Sequence, residues 1–253
     1  MPAAARPLAD RAALVTGGSR GIGRAIALAL GRAGATVIVN FHRAAGSAAE
    51  CVAAIRRGGG TAEAVRADVS RPADVARMFR WIDRRFGRLD VLVGSAGIAP
   101  PGAGLARVSL PTWRRTLETN VTGAFLCLRA AAPRMARRRA GRIVLVGSLA
   151  GAKGGTVGPH YAASKAALLG LMQWSFRELA PAGVTVNVVA PGFVETALSA
   201  PAYATPRARA AMAAKVPVGR IGTPEEIAAL VAFLAGPDAG YITGECITIA
   251  GGR

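Results

Sequence analysis

Tyr161 and Lys165 stand four residues apart in the stretch YAASK, with Ala162, Ala163 and Ser164 between them. On a helix, positions i and i+4 share a face, so the phenol and the ammonium would be neighbours. A tyrosine beside a lysine can act as a proton donor with an altered pKa. The same pair can also be two half-exposed side chains on a helix surface. The spacing alone therefore leaves both interpretations open.

A glycine-rich turn, VTGGSRGIG, joins the first predicted strand to the first predicted helix. Glycine lets the backbone approach a pyrophosphate, and a helix N-terminus presents free N–H groups and the positive end of its dipole. The turn predicts a dinucleotide-binding loop, and a tight turn without a ligand is the alternative. The predicted contacts are Gly17, Ser19, Arg20, Gly21, Ile22 and Gly23.

The end of the second predicted strand indicates which nicotinamide cofactor is preferred. A carboxylate there would accept hydrogen bonds from the adenosine ribose and would repel a 2′-phosphate. The chain instead places Asn40 and Phe41 at this end, and no acidic residue follows before Glu50. Arg20 and Arg43 are cations that could approach a 2′-phosphate. We therefore expect NADPH or NADP+ to bind here in preference to NADH.

Short apolar runs such as AALVTG, ATVIVN and GRIVLVGS alternate with helical patterns along the chain. This alternation predicts an α/β fold, a doubly wound parallel sheet of about seven strands with helices on both faces. No repeat or low-complexity linker divides the chain, so we expect one Rossmann-type domain over residues 1–253. Thr223 and Glu226 predict a capping box at the start of the last helix.

Composition and charge restrict the partners. The chain has 253 residues, a net charge of +18, two histidines and three cysteines, so we expect neither a metal site nor a disulfide framework. The start lacks the apolar run of a signal peptide, and no apolar run is long enough to span a bilayer, so we expect a cytoplasmic protein without membrane contact. Aromatic residues are only 5% of the chain, so nucleic-acid binding is not expected. The basic surface favours an acidic protein or an anionic substrate.

The order of these motifs resembles the short-chain dehydrogenase/reductase family from end to end, and within it the 3-oxoacyl-[acyl-carrier-protein] reductase-like branch. Ser148 precedes Tyr161 by 13 positions, and Tyr161 precedes Lys165 by four, as in that family. The stretches that carry the resemblance are TGGSRGIG, ADV at 67–69, YAASK, NVVAPGFVET and the tail from GRIGTPEE to ITIAGG.

The resemblance implies a catalytic set of Asn120, Ser148, Tyr161 and Lys165. Tyr161 would protonate the substrate carbonyl oxygen, and Ser148 would hydrogen-bond the same oxygen. Lys165 would hold the nicotinamide ribose, and Asn120 would position a water that links Lys165 to solvent. The further cofactor contacts that it implies, besides Tyr161 and Lys165, are Asp68, Val69, Ser95, Ala96, Gly97, Pro191, Gly192, Val194 and Thr196.

We also expect Lys165 to lower the pKa of Tyr161. A phenol titrates near 10, so a pKa near 7 requires roughly 4 kcal/mol. A cation at about 4 Å supplies an interaction of about that size when the effective dielectric constant is near 20.

The chain departs from the family pattern after the fourth strand, where Gly94-Ser95-Ala96-Gly97 replaces the usual Asn-Asn-Ala-Gly. The lost amides predict weaker cofactor binding or lower stability, with the chemistry retained. Ala250 also stands where many relatives carry Asn or Asp, a change for which the sequence gives no interpretation.

The resemblance implies NADPH-dependent reduction of a ketone to a secondary alcohol, with a 3-oxoacyl thioester linked to acyl carrier protein or coenzyme A as the favoured substrate. The alternatives are a dehydrogenase or reductase of another alcohol, sugar or pathway-specific ketone, and a non-catalytic nucleotide-binding scaffold. Residues 197–220 would form a substrate lid, with Tyr203 and Met212 as its larger contacts. Arg139 and Arg177 are basic residues suited to receive an acidic carrier protein near the cleft entrance, and scattered solvated charge is the alternative. The Tyr161 helix would pack against a partner subunit in a homotetramer or a dimer.

Overall fold

The computed structural model describes residues 6–101 and 104–253, so residues 1–5 of the predicted domain lie outside the described residues. Seven parallel strands form one sheet in the order β3-β2-β1-β4-β5-β6-β7, which confirms the predicted sheet. The strands are β1 Ala12–Thr16, β2 Thr36–Phe41, β3 Thr61–Arg66, β4 Val91–Gly94, β5 Gly141–Val146, β6 Val184–Pro191 and β7 Cys246–Ile249.

Helices cover both faces of the sheet, as predicted. Helices α1, α2 and α9 pack on one face, and α3, α5 and α7 pack on the other. The helices are α1 Gly21–Arg32, α2 Ala45–Arg57, α3 Pro72–Phe86, α4 Leu110–Leu117, α5 Gly123–Arg138, α6 Ala150–Lys153, α7 Pro159–Leu179, α8 Pro206–Ala213 and α9 Pro224–Ala235.

The five inner strands, β1, β2, β4, β5 and β6, are largely buried on both faces, because consecutive side chains point to opposite sides and helices cover both sides of the sheet. Val15 and Val39 contribute to the core beneath α1, α2 and α9. Leu14 and Ile38 contribute to the core beneath α3, α5 and α7. This is why the sequences of the inner strands are nearly continuous apolar runs, whereas the edge strand β3 contains exposed and half-buried polar residues.

The strand order reverses between β1 and β4, so the connections that leave these strands diverge to opposite faces. In open parallel sheets, this divergence opens a crevice at the carboxyl ends of the strands. The glycine loop follows β1, and the GSAG segment begins at the last residue of β4. The segments that follow β5 and β6 begin at the same edge of the sheet. The four predicted site segments, which follow β1, β4, β5 and β6, therefore meet at one crevice.

The long helical stretch that the sequence predicts around residue 120 is divided. A π-helical turn over Glu118–Thr122 separates α4 from α5 and carries Asn120. Such turns change the direction of the side chains on a helix and recur at functional sites.

The predicted capping box at the start of α9 is confirmed. The Glu226 N–H donates to Thr223 Oγ1, and the Thr223 N–H donates to the Glu226 carboxylate at 2.8 Å. Arg220, the last residue of the predicted lid, donates to both carboxylate oxygens of Glu226. The end of the lid segment is therefore attached to the start of α9.

Candidate active site

Asn120, Ser164 and Lys165 form the buried part of the site, and we call these three residues together with Ser148 and Tyr161 the catalytic wall. Asn120 Nδ2 donates to Ser164 Oγ at 3.0 Å, and the Ser164 hydroxyl donates to the Tyr161 carbonyl at 2.7 Å. Lys165 Nζ donates to the Val146 carbonyl at 2.7 Å. The wall therefore joins the π-turn, α7 and the end of β5.

Gly97 connects the catalytic wall to the loop after β4. A Cβ on Gly97 would lie 3.3 Å from Asn120 Oδ1 and 3.7 Å from Lys165 Nζ. The Asn120 side chain also holds Ile98 at both polar groups, because Oδ1 accepts from its N–H at 2.8 Å and Nδ2 donates to its carbonyl at 2.9 Å. The Asn120 amide is thus occupied by protein partners, and its predicted role in holding a water stays a prediction.

Burial governs the electrostatics of Tyr161 and Lys165. Burial raises the pKa of the Tyr161 phenol, and a hydrogen bond with Ser148 opposes that rise. Burial lowers the pKa of Lys165 to about 8. The Lys165 ammonium bonds the Val146 carbonyl and lies 5.7 Å from the centre of the Tyr161 ring. The expectation that Lys165 lowers the pKa of Tyr161 is therefore wrong in this structure, because burial raises that pKa, the opposing contribution comes from Ser148, and the Lys165 ammonium is bonded to the Val146 carbonyl.

Ser148 reaches the wall through close packing between α6 and α7. It follows β5, and the Gly151 N–H donates to its carbonyl at 3.0 Å. A Cβ on Gly151 would lie only 2.8 Å from the backbone of Lys165 and Ala166. Only glycine allows this approach without displacing α7, so the turn after Ser148 lies directly against the helix that carries Tyr161.

The glycine loop after β1 is shaped by contacts that exclude side chains. Gly17 has a φ of +64°, and a Cβ on it would lie 2.8 Å from Ala96 Cα. A Cβ on Gly23 would lie 2.4 Å from the Gly17 carbonyl oxygen. Gly21 has a φ of +53° and faces Thr196. The glycine loop therefore lies against both the β4 loop and the segment after β6. A cofactor bound across this edge of the sheet would contact all three segments.

Thr16 connects the β4 loop to the end of β1. Its hydroxyl accepts from the N–H groups of Ser95 at 3.0 Å and Ala96 at 3.1 Å. Gly94 packs on Leu145, since a Cβ there would lie 2.8 Å from Leu145 Cδ2. The substitution of Gly-Ser for Asn-Asn is thus accompanied by a Thr16 connection and by a fully buried leucine that fills the space at Gly94.

Asn40 supports the glycine loop from the β2 side. It is 2% exposed, its Oδ1 accepts from the Gly17 N–H at 3.3 Å, and its Nδ2 donates to the carbonyls of Val65 and Ala67. The side chain predicted as a cofactor contact is therefore used inside the protein, where it holds the loop to β2 and to the end of β3.

The adenine end of the predicted cofactor site surrounds Asp68. Although burial would raise its pKa, hydrogen bonds from Ser70 and the charges of His42 and Arg71 hold the pKa of Asp68 below its usual range. Val69 is buried and packs against Gly123. A polar cavity of about 420 Å³ opens here, lined by His42, Arg66, Asp68, Arg71, Asp74 and Arg77.

Arg20 and Arg43, the cations predicted for a 2′-phosphate, are both exposed at this crevice. Arg20 is the residue before the first turn of α1, and Arg43 follows β2. Among the described residues, neither forms an ion pair with a carboxylate. His42 lines the same cavity. It was not predicted as a cofactor contact, although it lies between Phe41 and Arg43, which were both predicted.

The end of β6 and the segment that follows it carry Pro191, Gly192, Val194 and Thr196. The Leu149 N–H donates to the Pro191 carbonyl at 2.9 Å, which ties this segment to the turn after Ser148. Gly192 lies against Ala250, because a Cβ on Gly192 would be 2.8 Å from Ala250 Cβ. A larger residue than alanine at position 250 would have to point away from this contact.

The predicted lid contains a short 3₁₀ turn over Ala200–Tyr203 and helix α8. The Tyr203 hydroxyl donates to the Val194 carbonyl at 2.7 Å and contacts the Ser199 hydroxyl. The Thr196 N–H donates to Ser199 Oγ at 3.1 Å. The polar end of Tyr203 therefore holds the lid to the β6 segment, and contact of its ring with a substrate stays a prediction. Met212 is half-buried.

Arg139 and Arg177 do not lie at the cleft entrance of their own chain. The prediction that they receive a carrier protein there is therefore wrong for a single chain. Arg139 precedes β5, so it lies at the amino-terminal edge of the sheet, and its guanidinium donates to the Pro181 carbonyl. Arg177 lies 16 residues beyond Tyr161 on α7, a separation of about 24 Å along the helix axis. Both residues occupy the edge of the sheet that is opposite to the catalytic wall.

No helix within the described ranges 6–101 and 104–253 is long and apolar enough to cross a membrane.

Comparison with known proteins identifies relatives over nearly the whole chain. A family model described as enoyl-(acyl carrier protein) reductase matches residues 17–253. The 3-oxoacyl-[acyl-carrier-protein] reductase of Synechocystis is 40% identical over 97% of both chains. The corresponding reductase of Vibrio cholerae is 41% identical over 97% of this chain and 98% of that protein.

Solved structures agree with this sequence comparison. A short-chain dehydrogenase/reductase from Serratia marcescens superimposes with a TM-score of 0.89 at 37% identity, over 97% of this chain and 98% of that one. The crystal structure of gox2181 superimposes with a TM-score of 0.91 at 32% identity, over 97% of both chains.

Proposed function

Because the chain belongs to the short-chain dehydrogenase/reductase family, we propose that it reduces 3-oxoacyl thioesters to 3-hydroxyacyl thioesters with NADPH. The observation that carries the proposal is the catalytic wall, where Ser148, Tyr161, Lys165 and Asn120 meet at the crevice beside a glycine loop. The names of the relatives from Synechocystis and Vibrio cholerae support the choice of a 3-oxoacyl group.

The residues present fit a nicotinamide dinucleotide. The glycine loop and the β4 loop approach each other so closely that a Cβ on Gly17 would overlap Ala96. The N-terminus of α1 follows, where backbone N–H groups favour a pyrophosphate. Arg20, Arg43 and His42 would surround a 2′-phosphate, and Thr196 would meet the nicotinamide end. When bound, the cofactor supplies the hydride.

In the proposed reaction, the chain supplies the proton and the position of the ketone. Because burial raises its pKa, the Tyr161 phenol keeps its proton at neutral pH and can donate it to the carbonyl oxygen. Ser148 hydrogen-bonds the same oxygen and favours the charge that develops there. Lys165, with a pKa of about 8, can gain and lose a proton near neutral pH beside Tyr161.

A cavity of about 330 Å³ beside the Tyr161 end of α7 would receive the thioester. It is lined by Gly104, Gly154, Gly155, Thr156, Gly158, Pro159 and Ala162. Arg107 and Lys153 are exposed on the two segments that flank this cavity. We assign the predicted contact with an acidic acyl carrier protein to these two cations in place of Arg139 and Arg177.

Assembly and location are part of the proposal. Trp174 on α7 is 74% exposed and Phe125 on α5 is 42% exposed, so two neighbouring helices present aromatic surface to solvent. We propose that these helices meet a second copy in a homotetramer or a dimer. The cytoplasmic location stays a prediction.

The substrate is tested by the oxidation of NADPH and of NADH with 3-oxoacyl thioesters of acyl carrier protein and of coenzyme A. We expect faster oxidation of NADPH, and Arg43→Asp to weaken NADPH binding without weakening NADH binding. Lys153→Glu should raise KM for the carrier-protein thioester alone, whereas Arg139→Glu is the matched control at the opposite edge. Turnover of other ketones or alcohols only would refute the substrate, and cofactor binding without any turnover would favour a scaffold.

A further inference from the structure

His160 directly precedes Tyr161 and is fully buried in the first turn of α7. Its Nε2 lies 3.1 Å from the carbonyl oxygen of Pro100, in the loop after β4. A carbonyl only accepts hydrogen bonds, so Nε2 must carry the hydrogen. The other ring nitrogen, Nδ1, is buried and has no hydrogen-bond partner among the described residues. The ring therefore contributes one donor to one acceptor and does not form a relay through both nitrogens.

Pro100 belongs to the loop that forms one side of the predicted cofactor site. This loop is held by side chains from three different elements. Thr16 at the end of β1 binds the N–H groups of residues 95 and 96, and Asn120 in the π-turn binds Ile98 through both backbone groups. His160 supplies the third attachment, and it is the one that comes from the helix of the proton donor.

The N-terminus of α7 has few stabilising polar contacts of its own. Helix α7 begins after Gly158, and no side chain of the described residues caps its N-terminus. Its first turn also contains no acidic residue, which would otherwise favour the positive end of the helix dipole. Helices α4, α8 and α9, by contrast, each have a Ser or Thr cap.

We propose that His160 is a positioning residue for the reduction, and that its Nε2–H bond to Pro100 fixes Tyr161 relative to the β4 loop. The proposal rests on the proposed function only for its kinetic readout. Removal of the bond allows the first turn of α7 to move against a loop that Thr16 and Asn120 still hold. The proton donor then loses its position while the cofactor keeps most of its contacts.

The test compares His160→Leu, which lacks the donor, with His160→Gln, whose side-chain amide can donate to the same carbonyl. A typical hydrogen bond contributes about 0.5–1.5 kcal/mol, so we expect kcat of the leucine variant to fall roughly 2- to 12-fold. The NADPH Kd of this variant should change by less than its kcat. The glutamine variant should recover most of kcat, and the shape of its pH–rate profile should match that of the native protein.

Asn187→Leu is the matched control. Asn187 is 1% exposed and donates to the Ile242 carbonyl at 2.8 Å, away from the catalytic wall. We expect this variant to lower the melting temperature and to leave kcat unchanged. The proposal is overturned if His160→Leu behaves in the same way, or if leucine and glutamine lower kcat equally. If the leucine variant does not fold, His160→Phe removes the donor while it retains a ring.

Hydrogen exchange separates this proposal from the proposed function. In His160→Leu, the backbone amides of Ile98, Ala99 and residues 160–165 should exchange faster than in the native protein, and those in His160→Gln should not. If the native protein turns over no 3-oxoacyl thioester, the proposed substrate is refuted. The hydrogen-exchange comparison of the two variants still tests the positioning role of His160. Equal exchange in both variants and in the native protein would overturn the positioning role.

Discussion

The catalytic wall and the lid both border the crevice, but their polar contacts differ in reach along the chain. Asn120 bonds Ser164, 44 residues away, and Ile98, 22 residues away. Within the lid, the side chains of Ser199 and Tyr203 bond groups of Val194 and Thr196, at most nine residues away. The wall is therefore defined by the whole fold, whereas the inner contacts of the lid are defined by a short segment.

Because of this difference, we expect substitutions in the wall to affect the reaction and substitutions in the lid to affect the choice of substrate. A substitution in the wall disturbs several elements at once, because the π-turn, α7, β5 and the β4 loop share its contacts. A substitution in the lid is absorbed locally, so this segment can vary without loss of the fold. Reaction type is consequently easier to infer from the sequence than substrate identity.

Lys165→Met should have the largest effect on the wall. We expect kcat to fall by roughly 100-fold or more, as for loss of a group that supports proton transfer. The exposed lid residue Lys215 is the control, and Lys215→Met should leave kcat within twofold of the native value. If Lys165→Met retained the native kcat, the proposed difference between the catalytic wall and the lid would be contradicted.

The stability of the native protein and that of Lys165→Met should depend differently on pH. Lys165 has a folded pKa of about 8, below its unfolded value of 10.5, so the unfolded chain binds more protons between these values. The native protein should therefore gain stability relative to Lys165→Met as pH rises from 8 to 10.5, by up to about 3 kcal/mol. Urea unfolding across this range measures the gain. A constant difference would contradict the burial of a charged group at this site.

Asn120→Leu tests whether the wall depends on contacts between distant segments. It leaves both backbone groups of the half-buried Ile98 without their side-chain partner and removes the bond to Ser164, at a cost of roughly 1–3 kcal/mol. We expect lower stability in urea unfolding together with a fall in kcat. Asn187→Leu should lower stability alone, and equal kinetic losses in both variants would indicate a general loss of folded protein.

Gly94→Ala tests the packing beneath the β4 loop. Its Cβ would lie 2.8 Å from Leu145 Cδ2 in the core, and overpacking of this kind costs about 1–3 kcal/mol. Adding Leu145→Val provides space, so the double variant should be more stable than the sum of the two single effects. Additive free energies of unfolding would show that Leu145 does not restrict position 94.

Tyr203→Phe should have the smallest effect, because the contacts that it removes lie within the lid. Loss of its bond to the Val194 carbonyl should raise KM by about 2- to 12-fold, with kcat nearly unchanged. Tyr241, which is fully exposed, gives the control variant Tyr241→Phe. If Tyr203→Phe lowered kcat more than Asn120→Leu does, the lid would matter more for the reaction than the wall, which would contradict the comparison.

Residue spacing was sufficient to predict the sheet and the glycine loop. The family resemblance implied Asn120, Ser148, Tyr161 and Lys165, whereas Ser164, the fifth member of the catalytic wall, was not predicted. Apolar runs reveal strands, and the Thr223 and Glu226 pair reveals the start of α9, because each depends on residues close together in the chain. The π-turn at Asn120 was missed because its residues continue a helical pattern. The Thr16 connection was missed because a threonine before a glycine loop has many uses.

Other features depend on three-dimensional burial, which spacing does not give. The pKa of Tyr161 rises because the surrounding protein removes water from the half-buried phenol, and the spacing of Tyr161 and Lys165 along the helix does not reveal this. Arg139 was placed near the cleft, although its position before β5 already indicated the opposite edge of the sheet. Tyr203 was assigned to the substrate by its size, whereas its hydroxyl bonds the backbone of the β6 segment.

The most direct test of the account is the rate of NADPH oxidation with a 3-oxoacyl thioester by the native protein and by Tyr161→Phe, with NADPH binding measured for both. We predict that the variant binds NADPH as the native protein does, while its rate falls by roughly 100-fold or more because the proton donor is lost. A variant that retains the native rate would show that Tyr161 does not supply the proton, and would contradict the role assigned to the catalytic wall.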